Sequence, residues 1–338
     1  MAKIAINGFG RIGRMFFRQA AENKDIEIIA INDLGDAENL AYLLKYDTVY
    51  GRFDKDVSVK DGNLIIDGKT VKIVQEKDPE KLPWGAMGVD IVIESTGVFD
   101  SFEKSAAHIK AGAKRVIISA PAKDEDGDLG KTILMGINDG ELKTVSLSSN
   151  ASCTTNSASP VIQIMSENPG IEKAILSTVH GYTATQSIVD SPTKGKDFRR
   201  GRAAAQNIVP STTGAAIAVT RAVKELKNKF DGISMRVPVP SGSIADITFI
   251  AKRNTTKEEV NDILRKASET PRWKGIIKVS EDQLVSSDIV GEPYGSIVDL
   301  GFTKVVDGNL VKVLSWYDNE YGYVAMLVKH VLVVSSIL

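Results

Sequence analysis

The sequence predicts an α/β protein of two domains. A doubly wound, largely parallel sheet is expected over residues 1–151, and an α+β domain with a largely antiparallel or mixed sheet over 152–319. Three observations carry this reading. The chain has 338 residues, 43% of them hydrophobic and 25% charged, which is enough to bury two cores. Through about residue 120, short apolar runs alternate with helical runs, the pattern of strand and crossover helix. From Cys153 onward the glycine turns of that pattern stop and the punctuation changes. A last helical segment, about 320–338, is expected to pack back on the first domain.

The opening run Lys3-Ile4-Ala5-Ile6-Asn7 is a strand, followed by Gly8-Phe9-Gly10-Arg11-Ile12-Gly13 and a helical stretch through Ala21. In a Rossmann-type unit, Gly8 permits the tight turn, Gly10 lets backbone approach a pyrophosphate, and Gly13 lets the helix pack closely on the strand. A second strand, Ile26 to Ile31, ends at Asn32-Asp33, and Asp33 lies 20 residues beyond Gly13. That is where an acid meets the adenosine ribose hydroxyls, and a carboxylate there repels a 2′-phosphate. NAD is therefore favoured over NADP.

Ala37 to Tyr46 reads as a helix, and Val57 to Val74 as short strands broken by Asp61-Gly62-Asn63 and Asp67-Gly68, both hairpin signals. The parallel pattern resumes at Asp90 to Glu94 and at Arg115 to Ile118, with a helix from Phe102 to Ala111 between them. The turns after these strands, Ser95-Thr96-Gly97 and Ser119-Ala120-Pro121, are candidate cofactor walls or ordinary loops, since ligands sit beyond the carboxyl ends of such strands. His108 is expected on the solvated face of its helix.

Thr144 to Leu147 has strand character, and Ala158 to Glu167 is helix-forming up to the breaker Asn168-Pro169-Gly170. Between them lies Ser152-Cys153-Thr154-Thr155-Asn156, with the only cysteine of the chain. Pro160 either kinks this helix or delays its regular part to about Ser159. In both cases Cys153 falls at or just ahead of the helix start, where partial positive charge and free N–H groups favour a thiolate. A lone cysteine is most often a small buried apolar residue. Here the neighbouring hydroxyls and amide would be hard to satisfy in a dry core, and a functional site is the better reading.

Ala174 to Val179 is a strand ending in His180-Gly181-Tyr182-Thr183, which makes His180 the best-placed base among three histidines. His330 belongs to an apolar helix and is assigned to packing. Residues 184–207 form a long irregular stretch with the basic run Lys194, Lys196, Arg199, Arg200 and Arg202. Loops of that length are functional or interfacial. Ser211-Thr212-Thr213-Gly214 opens a helix expected to reach about Phe230; it offers an anion site or simple N-caps. Arg236 sits inside an apolar strand and needs an anionic partner. Ser243 to Ala251 and Leu310 to Trp316 are further strands. Thr256-Lys257-Glu258-Glu259 reads as a capping box, and Tyr317 to Tyr323 as a polar, aromatic turn suited to a ligand wall.

Composition excludes several classes. Lys and Arg number 42 against 43 Asp and Glu, a formal charge of −1, so neither nucleic acid nor acidic membrane is predicted as a partner. One cysteine forms no internal disulfide and no cysteine-based zinc cluster, and no metal site is predicted. The immediate entry into a strand predicts a cytoplasmic protein. The apolar Tyr323 to Leu338 is short and interrupted by Lys329 and His330, the mark of a buried helix and not a membrane span.

A nicotinamide-binding fold joined to an activated thiol has its own chemical logic. A thiolate adds to an aldehyde, and the resulting thiohemiacetal gives up a hydride and becomes a thioester. The motifs named above, with Leu43-Leu44-Lys45-Tyr46-Asp47, Glu94-Ser95-Thr96-Gly97-Val98-Phe99, Thr213-Gly214-Ala215-Ala216, Arg236-Val237-Pro238 and Trp316-Tyr317-Asp318-Asn319-Glu320, resemble those of the glyceraldehyde-3-phosphate dehydrogenases in the same order over essentially the whole chain. The resemblance implies Cys153 as nucleophile and His180 as base. It implies NAD contacts from Arg11, Ile12, Asp33, Lys77, Ser119 and Asn319, the last at the nicotinamide amide. It further implies a substrate-phosphate pocket at Thr183 and Arg236, and an inorganic-phosphate pocket at Ser152, Thr154, Thr213 and Gly214. A homotetramer is implied as well, with residues 184–207 at subunit contacts. Ser157 stands where many members carry a second cysteine, and Thr185 where some have an acid; the loop at Lys194-Gly195-Lys196 is slightly longer than usual. Two alternatives stay open at this stage, an erythrose-4-phosphate dehydrogenase and a catalytically silent NAD-binding interaction protein.

Overall fold

The computed structural model describes residues 1–193 and 195–338; Lys194, of the basic run, lies outside the described residues. The chain divides into two compact units, Met1–Ala151 with Val324–Leu338, and Ser152–Tyr323.

The first unit begins with β1 (Ala2–Asn7), α1 (Arg11–Ala20), β2 (Ile26–Asn32) and α2 (Ala37–Lys45). A two-residue hairpin, β3 (Tyr46–Asp47) with β4 (Gly51–Arg52), precedes the antiparallel meander β5 (Val57–Lys60), β6 (Asn63–Ile66) and β7 (Lys69–Val74). Its turns place Asp61-Gly62 and Asp67-Gly68 at positive φ, as the hairpin signals predict. Then come α3 (Trp84–Met87), β8 (Ile91–Glu94), α4 (Phe102–Lys110), β9 (Arg115–Ile118), β10 (Gly130–Thr132) and β11 (Leu147–Ser149). The nine-stranded sheet runs β10-β11-β9-β8-β1-β2-β7-β6-β5, parallel from β10 to β7. Strand order reverses on either side of β1, so β1 and β8 frame the switch-point crevice of a Rossmann-type sheet. The sequence expected a strand at Thr144–Leu147. The strand instead starts at Leu147, because Asp139–Thr144 closes into a 3-10 turn with the Thr144 hydroxyl on the Glu141 carbonyl.

The second unit opens with α5 (Cys153–Glu167) and the long strand β12 (Ile171–Gly181). It continues through β13 (Val209–Thr212), α6 (Ala215–Ala222), β14 (Phe230–Val237), β15 (Ser243–Ala251), α7 (Lys257–Ser268), β16 (Ile277–Ser280), β17 (Ser296–Val306) and β18 (Leu310–Tyr317). The mixed seven-stranded sheet runs β13-β14-β12-β15-β18-β17-β16; only the β12–β14 and β16–β17 pairs are parallel. Strict alternation along β15, with every second residue buried, marks one covered and one open face.

Two local expectations are corrected here. The helix after Gly214 ends at Ala222, well short of Phe230, because a 3-10 turn at Lys224–Leu226 and Asn228 at positive φ lead the chain into β14. The predicted capping box before α7 is half formed. Thr256 caps Glu259 N–H, but the Glu259 carboxylate turns to Arg253 and Thr255. The closing helix α8 (Tyr321–Ser336) joins the first unit from Val324 onward. Among the described residues, no helix is long and apolar enough to cross a membrane.

Candidate active site

Cys153 is the first residue of α5, and Ser152 is its N-cap, the Ser152 hydroxyl accepting from Thr155 N–H at 3.1 Å. The helix includes Pro160 and is regular from Cys153, so the proline does not delay its start. Beneath it, β12 and β14 run parallel with His180 and Arg236 as register partners. The sheet thus delivers a base and a cation side by side, at the end of the strand pair.

Cys153 Sγ lies 3.3 Å from His180 Nε2. His180 Nδ1 faces the Gly181 carbonyl at 2.6 Å and Arg236 Nη1 at 2.7 Å. The carbonyl serves an Nδ1–H and the guanidinium serves an Nδ1 lone pair, so the imidazole has a partner in either tautomer. The Arg236 Nε–H is buried and, among the described residues, has no hydrogen-bond partner. A guanidinium satisfied on one edge only is half of an anion site.

Electrostatics here correct one expectation. Burial pushes the Cys153 thiol up, although Arg236 and hydrogen bonding at Thr154 act in the opposite sense. Helix-start position alone does not give a standing thiolate. The residue as a whole is half-buried. Burial, and then the Arg236 charge, take His180 down to about 3, against the Gly181 carbonyl, so the imidazole is neutral.

The remaining predicted residues of this unit fall as follows. The Thr154 hydroxyl is turned to Tyr317 (2.8 Å), whose phenol also meets Thr178 Oγ1 at 2.7 Å. Its backbone N–H, at the helix start, is turned to the Cys153 sulfur. Thr183 Oγ1 lies 2.9 Å from Thr185 Oγ1, which accepts from Arg200 Nη1 at 3.1 Å. Thr213 Oγ1 accepts from Ala215 N–H at 3.1 Å, next to Gly214, the N-cap of α6. Asn319 is buried, and its Oδ1 accepts from Ser243 at 2.8 Å.

In the first unit, Gly8 sits at φ +94, and a Cβ on Gly13 would strike the Gly8 carbonyl oxygen. A Cβ on Gly10 would meet nothing within 4 Å. Gly10 is also the N-cap of α1 and has no side-chain cap, so the first-turn N–H groups beside Arg11 and Ile12 face an open cradle. That cradle suits a diphosphate. Arg11 pairs with Asp47 at 2.6 Å. The Asp33 carboxylate accepts Phe9 N–H at 2.7 Å and Gly35 N–H at 2.8 Å, which fixes it at the end of β2. Lys77 is exposed, Thr96 is exposed on the turn after β8, and Ser119 follows β9 with its N–H on the Glu94 carbonyl. These residues fit a dinucleotide.

His108 corrects another expectation. It is fully buried, because its helix α4 turns that face onto Trp84 and Glu94. Sequence reasoning gave no role to Ser243; it placed Tyr317 in a ligand-wall turn and Arg200 in a basic loop, without the contacts they make here. Strand alternation put Tyr317 in reach of Thr178, whereas the contact of Arg200 depends on the fold of an irregular loop that carries no periodic signal. Among the described residues, no group of three or more His, Cys, Asp or Glu could hold a metal ion.

Comparison with known proteins extends this geometry. Residues 2–102 match the family model described as "Glyceraldehyde 3-phosphate dehydrogenase, NAD binding domain", and residues 152–319 match its "C-terminal domain". The chain is 51% identical over 328 residues to a glyceraldehyde-3-phosphate dehydrogenase of Borreliella burgdorferi, covering 95% of this chain and 96% of the relative. It is 50% identical over 329 residues to that of Streptomyces coelicolor, with 96% of each chain covered. It is 51% identical over 323 residues to that of Geobacillus stearothermophilus, with 95% and 94% covered. With both domain models matched and half of its residues shared with such relatives, this chain belongs to the glyceraldehyde-3-phosphate dehydrogenase family.

Proposed function

We infer that the chain is an NAD-dependent, phosphorylating glyceraldehyde-3-phosphate dehydrogenase, which converts D-glyceraldehyde 3-phosphate and inorganic phosphate to 1,3-bisphosphoglycerate. Beside family membership, the observation that carries this reading is the run of contacts from Cys153 Sγ through His180 to Arg236.

Cys153 Sγ adds to the aldehyde carbon as the thiol proton passes to His180 Nε2 and from there to the former carbonyl oxygen, forming the S–C bond and the hydroxyl of a thiohemiacetal and leaving the imidazole neutral. His180 then takes the hydroxyl proton as the C–H bond gives up its hydride, and a thioester remains on Cys153. NAD, held by Gly8, Gly10, Arg11, Ile12, Gly13, Asp33, Lys77, Thr96, Ser119 and Asn319, supplies the hydride acceptor when bound. Inorganic phosphate attacks the thioester carbonyl, the C–S bond breaks, and the His180 imidazolium returns its proton to the departing Cys153 sulfur as product leaves. The imidazole, with a partner at Nδ1 in both tautomers, is suited to accept a proton and to donate one.

The C3 phosphate is assigned to Arg236 and Thr183, the partnerless Arg236 Nε being the supporting feature. The attacking phosphate is assigned to Ser152, Thr154, Thr213 and Gly214, at the starts of α5 and α6. The assembly is proposed to be a homotetramer. Its support is the open face of the second sheet, where Ile175, Ile233 and Phe302 are exposed on one side, and the exposed Ile188, Val189 and Phe198 of the 184–207 loop. A single unpaired cysteine suits a reducing, cytoplasmic setting.

The test follows NADH formation from NAD and glyceraldehyde 3-phosphate, with and without inorganic phosphate. Sustained turnover that needs phosphate supports the reading. Turnover indifferent to phosphate, or full activity in Cys153→Ser, would overturn it.

A further inference from the structure

The ends of β1, β2 and β8, at the switch-point crevice, are tied together by a buried polar network that the reaction does not use. Glu94, the last residue of β8, is 2% exposed. Its Oε2 accepts from Asn7 Nδ2 at 2.5 Å and from His108 Nε2 at 3.0 Å; its Oε1 accepts from Thr96 N–H at 2.8 Å and from the Thr96 hydroxyl. Asn7, the last residue of β1, in turn accepts from Asn32 Nδ2 at 2.7 Å, at the end of β2. Asn32, the residue before Asp33, donates to the Glu76 carbonyl and accepts from Glu76 N–H, both at 2.9 Å, one residue before Lys77.

The protons are assigned by Trp84. Its indole N–H is a donor only, and it lies 3.1 Å from His108 Nδ1. Nδ1 therefore carries the lone pair, and Nε2 carries the proton that Glu94 accepts. A second proton on His108 would set an N–H against the Trp84 N–H. Glu94 is left as an acceptor on all four contacts. These four hydrogen bonds offset its burial, and removing any one of them leaves a buried polar group short of a partner.

The network reaches the crevice at one place. Thr96 is exposed, and both of its donors are taken by Glu94. The 95–97 turn packs so tightly on the glycine loop that a Cβ on Gly8 would fall 2.6 Å from Thr96 N, while Ser95 Oγ donates to the Gly8 carbonyl at 2.7 Å. We propose that Trp84, His108 and Glu94 are positioning residues for the dinucleotide. They fix the Thr96 turn against Gly8, and Asn7 and Asn32 behind it, so that the crevice is shaped before the cofactor arrives. This inference rests on the NAD reading above.

The experiment measures the equilibrium Kd for NAD by titration calorimetry on the full chain. Its variants are Glu94→Gln, His108→Gln, His108→Leu, Thr96→Val and the His108→Leu/Thr96→Val pair. Glu94→Gln places an NH2 group against donors on one side of the carboxyl. It is expected to weaken NAD at least tenfold while kcat at saturating NAD and the alkylation rate of Cys153 without NAD stay within about threefold. His108→Gln, which keeps a donor for Glu94, is expected to bind NAD more tightly than His108→Leu. The two changes in the pair act through one carboxylate, so their combined effect is expected to be smaller than the product of the single effects. A folded Glu94→Gln that binds NAD within twofold of the parent would overturn the proposal, as would a multiplicative pair. Should Glu94→Gln not fold, Thr96→Val on its exposed turn decides in the same way, a Kd within twofold of the parent overturning it. A parent chain that does not bind NAD would instead sink the functional reading itself.

Discussion

Arg236 Nη1 and His180 Nδ1 are 2.7 Å apart because β12 and β14 pair in parallel with these two residues in register. The guanidinium charge is the second cause, after burial, of the depressed His180 pKa. Removing that charge favours imidazolium, so Arg236→Leu is expected to move the His180 titration upward from about 3, with burial still holding it below the ordinary value. NMR titration of the imidazole checks the sign, and an unmoved titration would refute it. The same variant loses a charge-assisted contact to the substrate phosphate, and kcat/KM is expected to fall ~10- to 100-fold.

Tyr317 links α5 to β12 through its phenol, bonded to Thr154 and Thr178. Tyr317→Phe removes both bonds from a buried site, although Thr178 keeps the Ile244 carbonyl at 3.1 Å. The expected cost is ~1–3 kcal/mol of stability. Urea unfolding with an unchanged m-value measures it, and an unchanged midpoint would mean that the phenol contributes nothing.

His330 is fully buried, with Nδ1 at 3.1 Å from Asn150 Oδ1 and Nε2 at 2.9 Å from Ser148 Oγ, and burial takes it down to about 3. An unfolded histidine titrates near 6.5, so below that pH the unfolded state binds the extra proton. The stability contributed by the neutral form is complete above about pH 6.5 and is lost as the pH falls toward 3. At pH 5 the loss is ~2 kcal/mol for this residue. His330→Gln does not titrate, so the stability difference between pH 7.5 and pH 5 is expected to shrink by that amount. A difference equal to the parent's would contradict the assignment.

The open sheet face carries Ile175, Ile233 and Phe302, each at least half exposed. A charge placed there should be harmless to a monomer and disruptive to an interface. Ile175→Asp is expected to lower the sedimentation mass of the assembly without loss of secondary structure. A parent chain that sediments as a monomer would end the tetramer proposal.

Much of the first unit was legible because its elements are local. The glycines of 8–13 meet backbone demands within a few residues, and Asp33 follows at a spacing set by one helix and one strand. The hairpins of 57–74 were equally plain, because an Asp-Gly turn is decided by its own φ angles. The boundaries that moved, at Leu147 and at Ala222, are places where a 3-10 turn competes with strand or helix over three or four residues, and propensity alone does not choose.

His108 was misread because its environment comes from Trp84 and Glu94, 24 and 14 residues away, and helix periodicity over nine residues does not reveal what a polar side chain will meet. Thr154 is similar: the motif placed it beside the nucleophile, and only packing against Tyr317, 163 residues later, turned its hydroxyl inward.

By itself the sequence determined the two-domain α/β plan, the dinucleotide loop, and the position of the lone cysteine at a helix start, all of which follow from short-range backbone sterics and hydrogen bonding. The tertiary structure decided the state of that cysteine and of its base. Parallel pairing of β12 and β14 brings Arg236 onto His180, and burial of both Cys153 and His180 outweighs the helix start in setting which of them holds the proton. Desolvation and register are properties of residues far apart in the chain, and they exist only once it has folded.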